Sequence, residues 1–179
     1  MAITTRKMTA EELWALPEDQ RGELIRGEMT PVTPVARPHW RIVGRLLGRL
    51  DPFVEARGLG DVGAEGGFLL ARDPDVVLAP DVSFVRAGRE ADDQPGFMPL
   101  APDLAIEVIS PSNSVTELSR RVRLYLDAGV RQVWIVDPYE RTIALYAPDR
   151  TARLYVDGET LDGGDVLPGF ALAVGDLFG

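Results

Sequence analysis

The stretch Leu104-Ala-Ile-Glu-Val-Ile109, together with the residues from there to Val136, constrains this fold more than any other part of the chain. It has strand length, is rich in β-branched residues and is bounded by Pro102 and Pro111. Ser114-Val-Thr-Glu117 has the form of a capping box and predicts a helix running through Ala128, closed by Gly129. Gln132 to Val136 then reads as a buried strand that Asp137-Pro138 ends. Strand, helix, strand in that order is a crossover unit, so its two strands are expected to be parallel neighbours.

Glu107 sits in the middle of the first of these strands. An ionised carboxylate in an apolar strand is costly unless a cation, a proton or several donors compensate it. A divalent metal is one strong candidate for that partner. Zero cysteines exclude disulfides and thiolate metal sites, and a single histidine excludes His-rich zinc sites. Any metal is therefore expected to be held mainly by oxygen, which points to Mg²⁺ or Mn²⁺.

The rest of the chain predicts one α/β domain over residues 1–179. Thr9-Ala-Glu-Glu12 is a capping box opening a short helix that Pro17 ends. Glu23 to Met29 reads as two short strands around an Arg26-Gly27 turn. Trp40, Val43, Leu46, Leu47, Leu50 and Val54 recur at helical spacing, predicting a helix over about 38–57 with Trp40 on its core side. Short β-like runs alternate with Gly, Pro and Asp from Gly60 to Val85, and Glu90 to Pro99 reads as a mobile polar loop. Hairpin-like strands come next, at 141–147 and 151–156.

No apolar stretch approaches the roughly 20 residues that span a bilayer, and the N-terminus has no signal-peptide core, so the expected address is the cytoplasm. The net charge of −9 argues against non-specific nucleic-acid binding by global attraction, while leaving room for a local basic groove. Of 19 basic residues only Lys7 is a lysine, a skew that fits a composition bias towards arginine.

A metal site needs a second carboxylate, and the chain offers three Pro-Asp pairs, ending in Asp75, Asp81 and Asp103. Asp103 is four residues from Glu107 on the same strand, about 13 Å away, too far to share an ion. Asp81 lies in Ala79-Pro-Asp-Val-Ser-Phe-Val85, the start of a separate strand able to pair beside the Glu107 strand. Asp75, after Asp73-Pro74, reads as an ordinary turn residue.

Pro-Asp on one strand, an apolar strand carrying Glu, then a helix bearing a basic residue resembles the PD-(D/E)XK nuclease superfamily. More closely, Glu23-Leu-Ile-Arg-Gly-Glu28, Ala79-Pro-Asp-Val82, Glu107-Val-Ile-Ser-Pro-Ser112, Tyr125-Leu-Asp-Ala-Gly-Val130 and Val133-Trp-Ile-Val-Asp-Pro138 resemble the Uma family of restriction-endonuclease-like proteins, from about residue 8 to the end. The resemblance implies a restriction-endonuclease-like α/β fold: a mixed central sheet flanked by helices, with extra β-hairpins. It also implies a Mg²⁺-dependent (or Mn²⁺-dependent) endonuclease hydrolysing DNA, acting as a homodimer. Asp81, Glu107 and the Val108 carbonyl are then the expected metal ligands, with Glu23 acting through water or a second metal. The superfamily's lysine position, two residues after the glutamate, is Ile109 here; in the Uma family the lysine moves to the following helix, at the position of Arg121. Arg121 flanks the helix's buried face, whereas Arg120 and Arg123 point away. An arginine can stabilise phosphorane-like charge but does not readily lose a proton to act as base.

Blander readings stand beside these. Glu107 and Arg121 are open to a salt bridge with no metal, and Glu23 to pairing across its hairpin. His39 is open to contacting phosphate, to packing, or to facing solvent, while Trp40 and Trp134 fit core positions. Ser110 and Ser112 read as turn and helix-leading residues rather than nucleophiles. A catalytically inactive nucleic-acid- or protein-binding module on the nuclease fold is the main alternative function. A sugar hydrolase built on a carboxylate pair lacks support. The apolar Phe170 to Phe178 segment is a candidate for the dimer contact.

Overall fold

The computed structural model describes residues 6–31, 34–89, 92, 94–111 and 113–179. The expected crossover is present. Strand β7 (Leu104–Val108) leads through helix α3 (Val115–Asp127) into strand β8 (Gln132–Asp137), and the two strands run parallel with Glu107 opposite Ile135. Ser114 caps α3 by accepting a hydrogen bond from the Glu117 backbone N–H, and Gly129, at φ +94°, takes the left-handed turn that ends it. Ser112 lies outside the described residues.

Around this unit a six-stranded sheet has the order β10-β9-β8-β7-β6-β3, in which every pairing except β7–β8 is antiparallel. The added strands are β3 (Gly60–Gly63), β6 (Val82–Arg86), β9 (Thr142–Tyr146) and β10 (Ala152–Tyr155). A second sheet, β2-β1-β5-β4, contains the hairpin β1 (Gly22–Ile25) and β2 (Glu28–Pro31), then β4 (Phe68–Ala71) and β5 (Val76–Leu78). Arg26 and Gly27 both have positive φ in the two-residue hairpin turn, where glycine carries no steric cost.

The faces of the central sheet are covered differently. Leu104, Ile106 and Val108 point to one face with Val82, Phe84, Trp134 and Val136, under helix α2 (Arg37–Glu55). Ala105, Val133 and Ile135 point to the other, against α3 and the inner side of the second sheet through Ile25, Val76 and Leu78. Side chains alternate along a strand, so Glu107 belongs to this second face. It is fixed in register between a helix and a second sheet, away from bulk water.

The structure corrects three expectations. The buried stripe of α2 is His39, Ile42, Leu46, Leu50 and Val54, while Trp40 is 68% exposed. Asp75 is no ordinary turn residue: it is buried, accepts from the Ala10 backbone N–H that opens helix α1 (Ala10–Trp14), and pairs with Arg72. The expected polar loop of 90–99 lies partly outside the described residues, at positions 90, 91 and 93; its described part is mostly exposed and irregular, as a loop is, and is anchored where Met98 bridges Phe68 and Phe97 packs edge-on against Trp14. The C-terminal segment is no free dimer surface. Phe170, Leu172, Val174, Leu177 and Phe178 are core residues, and Arg45 and Arg49 of α2 donate to the Leu177 and Asp176 carbonyls, each at 2.8 Å.

Trp134 is fully buried as expected. Among the described residues no helix is long and apolar enough to cross a membrane.

Candidate active site

Five elements deliver one polar cluster to the end of β7. The β6–β7 ladder pairs Val82 with Ile106, so Asp81, one residue before β6, comes beside Glu107. Asp81 does not continue the ladder; its carboxylate Oδ2 accepts from the Val108 backbone N–H at 2.7 Å. The same oxygen lies 3.0 Å from Nε2 of His39, in the first turn of α2. Sequence reasoning pairs Asp81 with Glu107 but leaves His39 unassigned between phosphate contact, packing and solvent.

Glu107 is held from α3. Its Oε1 accepts from Arg121 Nη2 and from the Tyr125 hydroxyl, both at 2.6 Å. Arg121 and Tyr125 are one helical turn apart and so address the same carboxylate together. Nη1 of Arg121 reaches the Oε2 carboxylate oxygen of Glu23 on β1. Glu23 Oε1 in turn accepts from the Ala79 backbone N–H at 2.8 Å, which ties the second sheet to the segment leading into Asp81. Arg121 thus bridges buried Glu107 and partly buried Glu23, and the salt-bridge reading of Glu107 holds as geometry. Tyr125 is legible in the sequence only as part of a motif, with no role.

The charges do not balance. Among the described residues Glu23 and Glu107 share the one Arg121 guanidinium, and the charge of Asp81 also acts on Glu107. Burial pushes the Glu107 carboxyl up to about 7; Arg121 opposes this, and the nearby charges of Asp81 and Glu23 reinforce it. For Arg121 burial works against the charged form, but Glu107, Tyr125 and Glu23 outweigh it and raise its pKa. The Tyr125 hydroxyl is raised by burial first and then by Glu107, so it stays a protonated donor.

Two carboxylate oxygens stand apart from this network. Among the described residues no donor is bonded to Asp81 Oδ1 or Glu107 Oε2. They belong to hard oxygen ligands, and Mg²⁺ commonly binds through one or two carboxylates while keeping several waters. The residues present therefore fit a Mg²⁺ or Mn²⁺ ion in donor type and in charge. They do not form a closed protein cage: among the described residues no three His, Cys, Asp or Glu side chains are grouped to hold an ion. Glu23 is turned to Arg121, so its place is beside the guanidinium.

The remaining candidates are structural. Ser110 donates from both its backbone N–H and its hydroxyl to Asn113 Oδ1, shaping the turn before α3. Asp137 Oδ1 accepts from the Tyr139 and Glu140 backbone N–H groups in the β8–β9 turn. Asp103, at the opposite end of β7, accepts from the Arg86 N–H and pairs with Arg89.

With this geometry in place, comparison with known proteins gives a consistent picture. Residues 10–175 match the Uma2 family model, described as "Putative restriction endonuclease". The fold is similar to the crystal structure of a "putative nuclease belonging to DUF820" from Anabaena variabilis. The TM-score is 0.84 at 22% identity, covering 96% of this chain and 97% of that one. At that identity the likeness shows the fold. No curated protein sequence matches the chain.

Proposed function

The chain belongs to the Uma2 family, and from that premise we propose that it is a metal-dependent endonuclease hydrolysing DNA phosphodiester bonds. Asp81 and Glu107 would hold Mg²⁺ or Mn²⁺, with the Val108 carbonyl as a further ligand. The observation that carries this reading is the carboxylate cluster at the end of β7: buried Glu107 shares the Arg121 guanidinium with partly buried Glu23 and lies near partly buried Asp81, with an unengaged oxygen on both Asp81 and Glu107 among the described residues. A bound divalent ion supplies Lewis-acid stabilisation of a phosphate gaining charge and makes hydroxide available near neutral pH.

The chain's own residues do the rest. Arg121 and Tyr125 fix Glu107 by one oxygen, which leaves the other to face the ligand space. Arg121 stays charged, so it cannot serve as the general base that a buried lysine can become. Both its Nη groups are engaged, and its buried Nε has no partner among the described residues. Its first task is to hold the carboxylates and to contribute positive potential beside the scissile phosphate. Glu23 keeps the guanidinium in place.

A homodimer of cytoplasmic address completes the proposal, with its contact elsewhere than on the buried C-terminal segment.

A second reading is favoured by one observation. Arg121 already bridges Glu23 and Glu107, so the fold could serve as a DNA-binding module without hydrolysis. Plasmid and single-stranded DNA incubated with Mg²⁺, Mn²⁺ or chelator separate the two. The nuclease reading expects cleavage that requires metal and disappears in Asp81→Asn and Glu107→Gln. Metal-independent DNA binding with no cleavage of any substrate would support the second reading, and cleavage surviving chelation would contradict the first.

A further inference from the structure

His39 occupies a core position for no apolar reason. It continues the buried stripe of α2 with the spacing of Ile42, Leu46, Leu50 and Val54, where a leucine would fill the same face. The residue is 5% exposed, its buried Nδ1 has no partner among the described residues, and its Nε2 is 3.0 Å from Asp81 Oδ2. A fold that tolerates an unsatisfied ring nitrogen at such a position keeps the ring for its other nitrogen.

We infer that His39 is a positioning residue, which with the Val108 N–H pins one oxygen of Asp81 so that the other is presented to the metal ion. This rests on the metal site proposed above. The Val108 N–H of β7 donates to Oδ2, and Nε2 of His39 on α2 lies 3.0 Å from the same oxygen, within donor reach. A single donor lets a carboxylate rotate about its Cβ–Cγ bond; two donors on one oxygen fix its plane and leave Oδ1 oriented. The ring must then carry its proton on Nε2, because a lone pair facing the carboxylate would repel it. His39 is buried and engaged, so it acts through Asp81 and does not touch substrate. Hydrogen-bond partners of metal ligands generally matter about 10–100-fold in affinity or activity.

The test uses the full chain in Mn²⁺ calorimetry and thermal unfolding, with His39→Leu and His39→Gln beside wild type. Leu fills the core position without a donor; Gln restores an amide N–H in about the place of Nε2. The expected result is a His39→Leu protein with an undiminished Tm and Mn²⁺ affinity weakened about 10–100-fold, and recovery of most of that affinity in His39→Gln. Wild-type affinity in His39→Leu, or equal loss in both variants, overturns the inference. If wild type itself binds no Mn²⁺, the function proposed above fails and this role falls with it, a result visible before any variant is made. One readout needs neither variant nor metal. His39 is the only histidine, so ¹⁵N NMR of the side chain reports its tautomer alone; a proton on Nε2 supports the inference, and a proton on Nδ1 with a bare Nε2 overturns it.

Discussion

Asp103 and Glu107 stand at opposite ends of one strand, both buried, and their surroundings differ in what they leave over. Asp103 meets the Arg86 N–H at 2.9 Å and the Arg89 guanidinium at 2.6 Å, one carboxylate with one cation and one backbone donor. Glu107 shares its one cation with Glu23 and lies beside Asp81. At the first end, charge and donors are matched. The second keeps a surplus of negative charge that the fold alone does not neutralise, and burial raises the cost of keeping it. A buried carboxylate therefore becomes a functional candidate through unmet charge, not through burial.

The contrast can be broken by substitution. Glu107→Gln should have the largest effect on function: metal-stimulated DNA cleavage falls to background while circular dichroism stays native. A variant that keeps cleaving places the chemistry elsewhere. Arg121→Met should come next, lowering cleavage about 10²–10³-fold, the usual scale for losing one preorganised charge donor. It should also destabilise the fold, since Glu23 and Glu107 lose their shared partner; Arg121→Lys should retain part of both. Asp103→Ala should reverse the pattern, costing about 2 kcal/mol in urea unfolding because a backbone N–H and Arg89 lose their acceptor. Its cleavage per folded molecule should be unchanged, and a loss of activity at constant stability would erase the distinction between the two ends.

The smallest effect is a tilt with pH. Glu107 is raised from an ordinary 4.5 to about 7 in the folded protein, so between these values the fold holds a proton that the unfolded chain has released. The stabilisation is complete below about 4.5 and is lost as pH rises through about 7. In metal-free protein the Tm of Glu107→Gln relative to wild type should therefore increase from about pH 5 to about pH 8. A difference that shrinks over that range would show a lowered carboxyl, satisfied by Arg121 alone.

Much of this is legible in the sequence where local rules and tertiary packing agree. The β7–α3–β8 crossover follows from an apolar run, a cap, a terminating glycine and a second run, and it places Glu107 on the face towards α3. A separate strand lets Asp81 lie beside Glu107 and helical phase sets Arg121 on the flank of the buried face, while their joint role at a metal site comes from the family resemblance. The phase of α2 is not legible in full. Trp40 is apolar and His39 polar, so composition favours burying the tryptophan, yet the stripe through Ile42 and Leu46 buries the histidine against Asp81. Asp75 looks like a turn residue because sequence does not reveal that α1 folds back onto it. Tyr125 carries no signal of its own, since its role depends on a hydroxyl reaching across to a strand 18 residues earlier.

The most direct test of the central claim is anomalous diffraction from crystals soaked in Mn²⁺ at about pH 8, where Glu107, with its carboxyl at about 7, is ionised. The predicted result is an ion coordinated by Asp81 and Glu107, with Glu107 still bonded to Arg121 and Tyr125 through its other oxygen. A fully soaked crystal with no ion there, and Asp81 and Glu107 engaged only by protein donors, would contradict it.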